Sequence, residues 1–168
     1  MATYAYQLTD GIDLMQIPGV NVGLLLTLIA EVGLDLSKFP SAKHFTSWLG
    51  LAPNKKVSGG KVLSSKTAKN RGRLGVAFRQ AANSVGLMRQ GALAHSFRAI
   101  SHRKGRKAAI MATARKIATI VYSMLKKKEA YREDADEIYR EKVRLRKIKQ
   151  AQKIITKLNL SKQDFAFE

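Results

Sequence analysis

Apolar residues recur at helical spacing along most of this chain, broken by one long aperiodic stretch. Leu8 to Gln16 is a short helical candidate opened by Thr9 or Asp10. Ile17-Pro18-Gly19-Val20 then breaks it, because proline lacks an N–H and glycine permits a tight reversal. A second helix is predicted over Asn21 to Val32 and stops at Gly33, a residue suited to a left-handed cap. Phe39-Pro40-Ser41 opens a third, in which Phe45, Trp48 and Leu49 share a face and place Trp48 in the core; Gly50 ends it. From Leu51 to Lys69 periodicity disappears, and Pro53, Gly59, Gly60 and three serines mark a loop or a short hairpin. Helical spacing returns at Leu74, Phe78, Ala81, Ala82 and Val85, and again from Ala108 to Leu125. These two helices are expected to form the buried centre, with Gly86 to Gly105 as an Arg-bearing link between them. A long charged helix follows from Glu129. Asp136–Arg140, Glu137–Arg140 and Glu141–Arg144 support it locally, and Tyr131, Ile138, Leu145, Ile148, Ile155 and Leu158 give it a narrow apolar stripe. Such a stripe docks on its own domain or pairs with a second helix. The expected fold class is all-α: a helix-hairpin-helix-like start, a helical core with an irregular basic loop, and a long C-terminal helix.

Charge divides the same 168 residues in three. The first 35 hold four acids and no Lys or Arg, residues 36–128 hold 21 of the 31 Lys and Arg and no acid, and the last 40 mix 10 basic with 8 acidic residues. The expected organisation is a domain over 1–128, made of a helical hairpin (1–35) and a basic core (36–128), followed by a charged helix over 129–168. A net charge of +19 in a sequence that is 45% hydrophobic is a folded polycation, not a disordered tail. Such a surface is stable against a polyanion, and nucleic acid is the expected partner. A membrane surface fits poorly, since the cations gather around a Gly/Ser loop and not along one amphipathic face. No basic leader precedes an apolar stretch, and the longest apolar run, Val22 to Ala30, is far shorter than the roughly 20 residues of a membrane span. The absence of cysteine fits a reducing cytoplasm and removes thiol nucleophiles and thiolate metal sites. His44, His95 and His102 are too scattered for a metal site, so neither a metal nor another cofactor is assigned to this chain.

Chemistry is constrained by the acid-free middle. A metal-dependent nuclease needs converging carboxylates, which residues 36–128 do not contain, and a Ser-His-Asp arrangement lacks its acid there. Ser58, in Val57-Ser58-Gly59-Gly60-Lys61, remains: small neighbours admit a phosphate and nearby lysines stabilise an alkoxide and a phosphoryl transition state, although Ser-Gly-Gly is also an ordinary flexible turn. The apolar-Pro-Gly-apolar turn at residues 17–20 has two readings as well, phosphate contact through turn amides or a hairpin that only packs.

The order of Ile17-Pro18-Gly19-Val20, Trp48-Leu49-Gly50-Leu51-Ala52-Pro53, Ser58-Gly59-Gly60-Lys61-Val62, Ser65-Lys66-Thr67, Lys69-Asn70-Arg71 and Ala81-Ala82 resembles one family. Ala92-Leu93-Ala94, Ala108-Ala109-Ile110-Met111-Ala112-Thr113-Ala114, Val121-Tyr122-Ser123-Met124-Leu125-Lys126 and Tyr131 continue the resemblance, which covers about residues 12–160. The family is the bacterial insertion-sequence transposases that join a DEDD, RuvC-like domain to a C-terminal serine-bearing domain, the RNA-guided bridge recombinases. The resemblance implies that Ser58 is the catalytic nucleophile and that the domain helps hold DNA and a structured guide RNA. It also implies that Mg²⁺ enters only with the acidic domain, and that the active assembly is a homo-oligomer. The chain then corresponds to a truncated or separately encoded half of a recombinase, inactive without that domain. Asn21 and the pair Arg115-Lys116 depart from the family pattern. Two functions follow as expectations: a recombination module whose Ser58 attacks DNA, or a non-catalytic module gripping nucleic acid. The expected contacts are Lys55, Lys56, Gly59, Lys61, Lys66, Lys69, Arg71, Arg73 and Arg79.

Overall fold

The computed structural model describes residues 6, 9, 11–54, 56–64, 67, 72–131 and 135–159; the side chains of 62, 135–140 and 142 are outside that description. The fold is all-α with one small hairpin, as expected. In chain order it runs through a 3-10 turn (Leu14–Gln16), α1 (Val22–Glu31), α2 (Ala42–Trp48), β1 (Lys56–Ser58), β2 (Lys61–Ser64), α3 (Arg73–Leu87), α4 (Ala92–Lys104), α5 (Arg106–Lys127) and α6 (Ala135–Leu158). Two compact units divide it, Met1–Tyr131 and Arg132–Glu168.

The N-terminal segment differs from its expected helix. Gly11–Asp13 is not helical; a 3-10 turn stands in its place, and the Asp13 carboxylate caps it by accepting from the Met15 N–H at 2.9 Å. Short polar side chains that bond the backbone two residues on favour turns over helices, and Asp13 does so here. Leu8 and Asp10 lie outside the described residues. After Pro18 the chain reverses at Gly19 (φ +84°), a conformation that costs other residues about 1 kcal/mol or more. The turn is pressed against α3: a Cβ on Gly19 would lie 2.4 Å from the Ala81 carbonyl oxygen and 2.8 Å from Val85 Cγ2.

Asn21 starts α1 by accepting from the Leu24 N–H at 2.9 Å, which satisfies one of the orphan amides of the first turn. Leu24, Leu25 and Leu28 face inward, and Glu31 at the other end accepts from the Leu74 N–H of α3 at 3.2 Å. This carboxylate supplies what Gly72, the residue before α3, has no side chain to supply, and its charge suits a helix N-terminus. One of the four acids of the N-terminal segment therefore works as a distant cap.

In α2, Phe45 is wholly buried at the centre of an aromatic group, with ring centroids 5.2 Å from Phe39, 5.9 Å from Tyr122 and 6.3 Å from Phe78. Trp48 is not in the core. It is 47% exposed and leans on Phe39 at 5.5 Å, because Phe45 and Leu49, four apart, already fill the inward face. The Tyr122 hydroxyl donates to the Phe39 carbonyl at 2.7 Å and ties α5 to the loop before α2.

α3 buries Leu74, Phe78, Ala81, Ala82 and Val85, and its Gly75 lets the Leu49 carbonyl approach to a point 2.6 Å from where a Cβ would stand. The segment expected to link α3 to α5 is itself helical. α4 buries Leu93, Ala94 and Phe97 between Gly91 and Gly105, both at positive φ. The Arg98 guanidinium donates to the Met88 and Arg89 carbonyls at 2.7 and 2.9 Å and closes the end of α3. α5 packs against α2, α3 and α4 and is the central helix. By length and composition it is the one helix among the described residues that is able to span a bilayer, but half of that stretch is buried against its neighbours.

Tyr131 packs on the core of the first unit and so does not continue the stripe of α6. In the second unit, Leu145, Ile148, Ile155 and Leu158 are exposed, and Glu141 meets Arg144 at 3.6 Å with both side chains in solvent, a pair worth little. The expected pairs at Asp136, Glu137 and Arg140 lie outside the described side chains.

Candidate nucleic-acid interface

Ser58 ends β1 and pairs with Lys61, the first residue of β2; between them Gly59 (φ +54°) and Gly60 (φ +74°) make a two-residue turn with both residues left-handed. That geometry matches the right-handed twist of a hairpin and is why the Gly-Gly pair stands here. The register is Lys56 with Ser64, Val57 with Val62 and Ser58 with Lys61, with an irregularity between Lys56 and Val57, and a bridge between Pro53 and Thr67 closes the base. Directly opposed residues share a face of the hairpin at Cβ separations of about 5 Å, so Lys61 is the cation nearest in register to the Ser58 hydroxyl.

Every described side chain from Lys56 to Leu63 is exposed, Val57 and Leu63 included. A Cβ on Gly59 or Gly60 would meet nothing within 4 Å. An isolated two-stranded hairpin with no layer over either face is marginal in water. Among the described residues Ser58 has no hydrogen-bond partner for its hydroxyl, and no three His, Asp or Glu residues come together as metal ligands would.

The other expected contacts are divided. Lys56, Gly59 and Lys61 share the hairpin with Ser58; Arg73 and Arg79 lie on α3, Arg73 exposed and Arg79 half-buried beside Gly75. Lys55, Lys66, Lys69 and Arg71 lie outside the described residues. The turn at residues 17–20 is turned inward: Gly19 faces α3, the Val20 N–H bonds to the Ile17 carbonyl at 3.0 Å, and the Leu24 N–H bonds to Asn21. These amides are occupied within the fold.

A second basic feature was not anticipated from the Gly/Ser loop. The root of the hairpin, the end of α4 and the first half of α5 enclose a cleft of about 850 Å³, lined in part by Arg103, Lys104, Lys107 and Arg115. Its one legible signal is the i, i+4, i+8 spacing of Lys107, Met111 and Arg115. The neighbouring Lys116 is exposed; partial desolvation of its amine lowers its pKa from the ordinary lysine value, and the amine donates to Ser96 Oγ at 3.3 Å.

Residues 13–98, just over half of the chain, match the Transposase IS116/IS110/IS902 family. The chain belongs to this family. The match runs from the 3-10 turn through the packed Pro18-Gly19 turn, the hairpin and α3 into α4, so it takes in Ser58, Lys56, Lys61, Arg73 and Arg79. No curated protein and no solved structure matches the chain. Membership gives this transposase chain a transposition-related function.

Proposed function

We propose that this transposase chain binds DNA, together with a structured guide RNA, through the acid-free basic surface around the β1–β2 hairpin, and that Ser58 is the nucleophile of strand exchange. The observation that carries the reading is the exposed tip itself: a serine hydroxyl beside two glycines that admit a phosphate, with Lys61 opposite. In the proposed step the Ser58 Oγ attacks the phosphorus of a phosphodiester, an Oγ–P bond forms, and the bond to one sugar oxygen breaks. The serine proton goes to a base outside the described residues, and the leaving sugar oxygen takes up a proton to become a free hydroxyl. The seryl ester keeps the bond energy, so a hydroxyl from another strand can displace the serine. An acidic RuvC-like domain acting in trans supplies the base and the Mg²⁺ chemistry. Lys56 and Lys61, with Lys55, Lys66, Lys69, Arg71, Arg73 and Arg79, neutralise phosphates.

One observation favours a purely binding role: the Ser58 hydroxyl has no base beside it among the described residues. Both readings share an electrostatic interface, which salt tests. With about six phosphates contacted, log K against log salt falls with a slope of about −5 on duplex DNA, a loss of about 10³ between 50 and 200 mM. Fluorescence anisotropy on duplex DNA and on structured RNA measures it, and Lys56→Ala is expected to weaken binding by roughly 1 kcal/mol. A slope near zero removes nucleic acid as the partner.

The active assembly is proposed to be a homo-oligomer, since joining two DNA ends takes at least two protomers and α6 exposes Leu145, Ile148, Ile155 and Leu158. Ending the chain after Tyr131 is expected to lower the mass seen by light scattering from a dimer to a monomer. A monomer both before and after truncation contradicts pairing through α6.

A further inference from the structure

The cleft between the hairpin root, α4 and α5 is built differently from a surface that only follows a duplex backbone. Its rim carries Arg103 and Lys104 from the last turn of α4 and Lys107 and Arg115 from α5, whereas Ile100, Ala108, Met111 and Ala112 bring apolar atoms to it. The two alanines, four apart, leave the space on the α5 side, and Lys107, Met111 and Arg115 follow one another along that helix face. No acidic residue occurs between Asp35 and Glu129, so no carboxylate from this region neutralises the four cations. A cleft of about 850 Å³ is within the range of sites that enclose a small organic group, roughly 300–1,000 Å³.

We infer that this cleft receives an unpaired nucleotide, with its phosphate on the cationic rim and the face of its base against the aliphatic side chains and an arginine plane. Charge complementarity selects a polyanion. The concave apolar part selects among polyanions, because a paired base keeps its faces stacked inside the helix and offers only phosphates and sugar to a protein surface. A base released from pairing has two apolar faces to bury, and guanidinium planes stack on them. Phosphate and base face are common to DNA and RNA, so the chemistry is that of a single strand of either sugar. The inference rests on the proposed nucleic-acid interface and adds a site, separate from the hairpin tip, that distinguishes unpaired from paired strands.

The test uses the full chain and three labelled probes: an oligothymidylate of about 12 nucleotides, an oligouridylate of the same length and a blunt duplex. Ala112→Leu fills the cleft without changing charge; Lys107→Gln combined with Arg115→Gln removes two rim cations and leaves the cleft open. Ala112→Leu is expected to weaken at least one single-stranded probe about tenfold while duplex binding stays within twofold. The double glutamine variant is expected to lower the salt slope for that probe by about 1.4, the share of two phosphate contacts on a single strand. The probe that responds, thymidylate or uridylate, identifies the strand. A melting temperature equal to that of the parent chain verifies that each variant is folded. If single-stranded and duplex binding are both unchanged by Ala112→Leu and by the glutamine pair, the cleft assignment is overturned while the basic interface stands. If neither single-stranded nor duplex probe binds the parent chain, both are overturned.

Discussion

Gly19→Ala is expected to destabilise the first unit by about 3 kcal/mol and to lower its melting temperature by about 10 °C. Two costs combine. A side chain at φ +84° is strained by about 1 kcal/mol or more, and the added methyl would stand 2.4 Å from the Ala81 carbonyl oxygen, a contact that only a shift of α1 or α3 relieves. The remaining glycines separate these costs. Gly75 is helical and meets the Leu49 carbonyl at 2.6 Å, so Gly75→Ala incurs the steric cost but recovers about 1 kcal/mol of helix propensity. Gly59 is left-handed with open space around it, so Gly59→Ala strains only the hairpin and leaves the melting temperature near that of the parent. Thermal denaturation followed by circular dichroism gives the order Gly19, then Gly75, then Gly59. A Gly19→Ala protein that melts within about 2 °C of the parent but has lost DNA binding contradicts the packed turn and restores phosphate contact at residues 17–20.

The core helices were legible because α3 and α5 place Leu74, Phe78, Ala82, Val85, Ile117 and Val121 at helical spacing with little polar interruption. α4 was not, since Leu93, Ala94 and Phe97 are its only buried hydrophobic residues and Arg98, Arg103 and three glycines around it read as a link. Trp48 shows the limit of a face argument: three apolar residues share one side of α2, but the pocket against α3 and α5 has room for Phe45 and Leu49, and the indole stays outside. The Pro18-Gly19 turn carried both of its meanings in the sequence; the nearness of Ala81, 62 residues away, favours packing. At the candidate site, Ser-Gly-Gly-Lys was readable as a tight turn because a two-residue hairpin needs left-handed backbone at both central positions. The cleft was not readable, since its walls run from Leu51 to Arg115 and come together only in the tertiary fold.

Ser58→Ala is expected to leave nucleic-acid binding within about twofold and to abolish covalent attachment to DNA. The hydroxyl is one small neutral group on a surface whose affinity comes from many cations, so its loss removes little binding energy. In the proposed step it is also the atom that becomes bonded to phosphorus, and alanine offers no substitute. Lys61→Ala separates positioning from charge: it is expected to weaken binding by roughly 1 kcal/mol and to slow attachment further, because in the proposed step the cation opposite Ser58 stabilises both the alkoxide and the phosphoryl transition state. The chain alone is expected to bind DNA and cut it poorly.

The most direct measurement combines the chain with a RuvC-like acidic domain of the family, guide RNA, Mg²⁺ and end-labelled DNA, and resolves the products on a denaturing gel. A protein–DNA adduct is expected with the parent chain and none with Ser58→Ala, at equal binding by anisotropy. An adduct that persists in Ser58→Ala contradicts the assignment of the nucleophile.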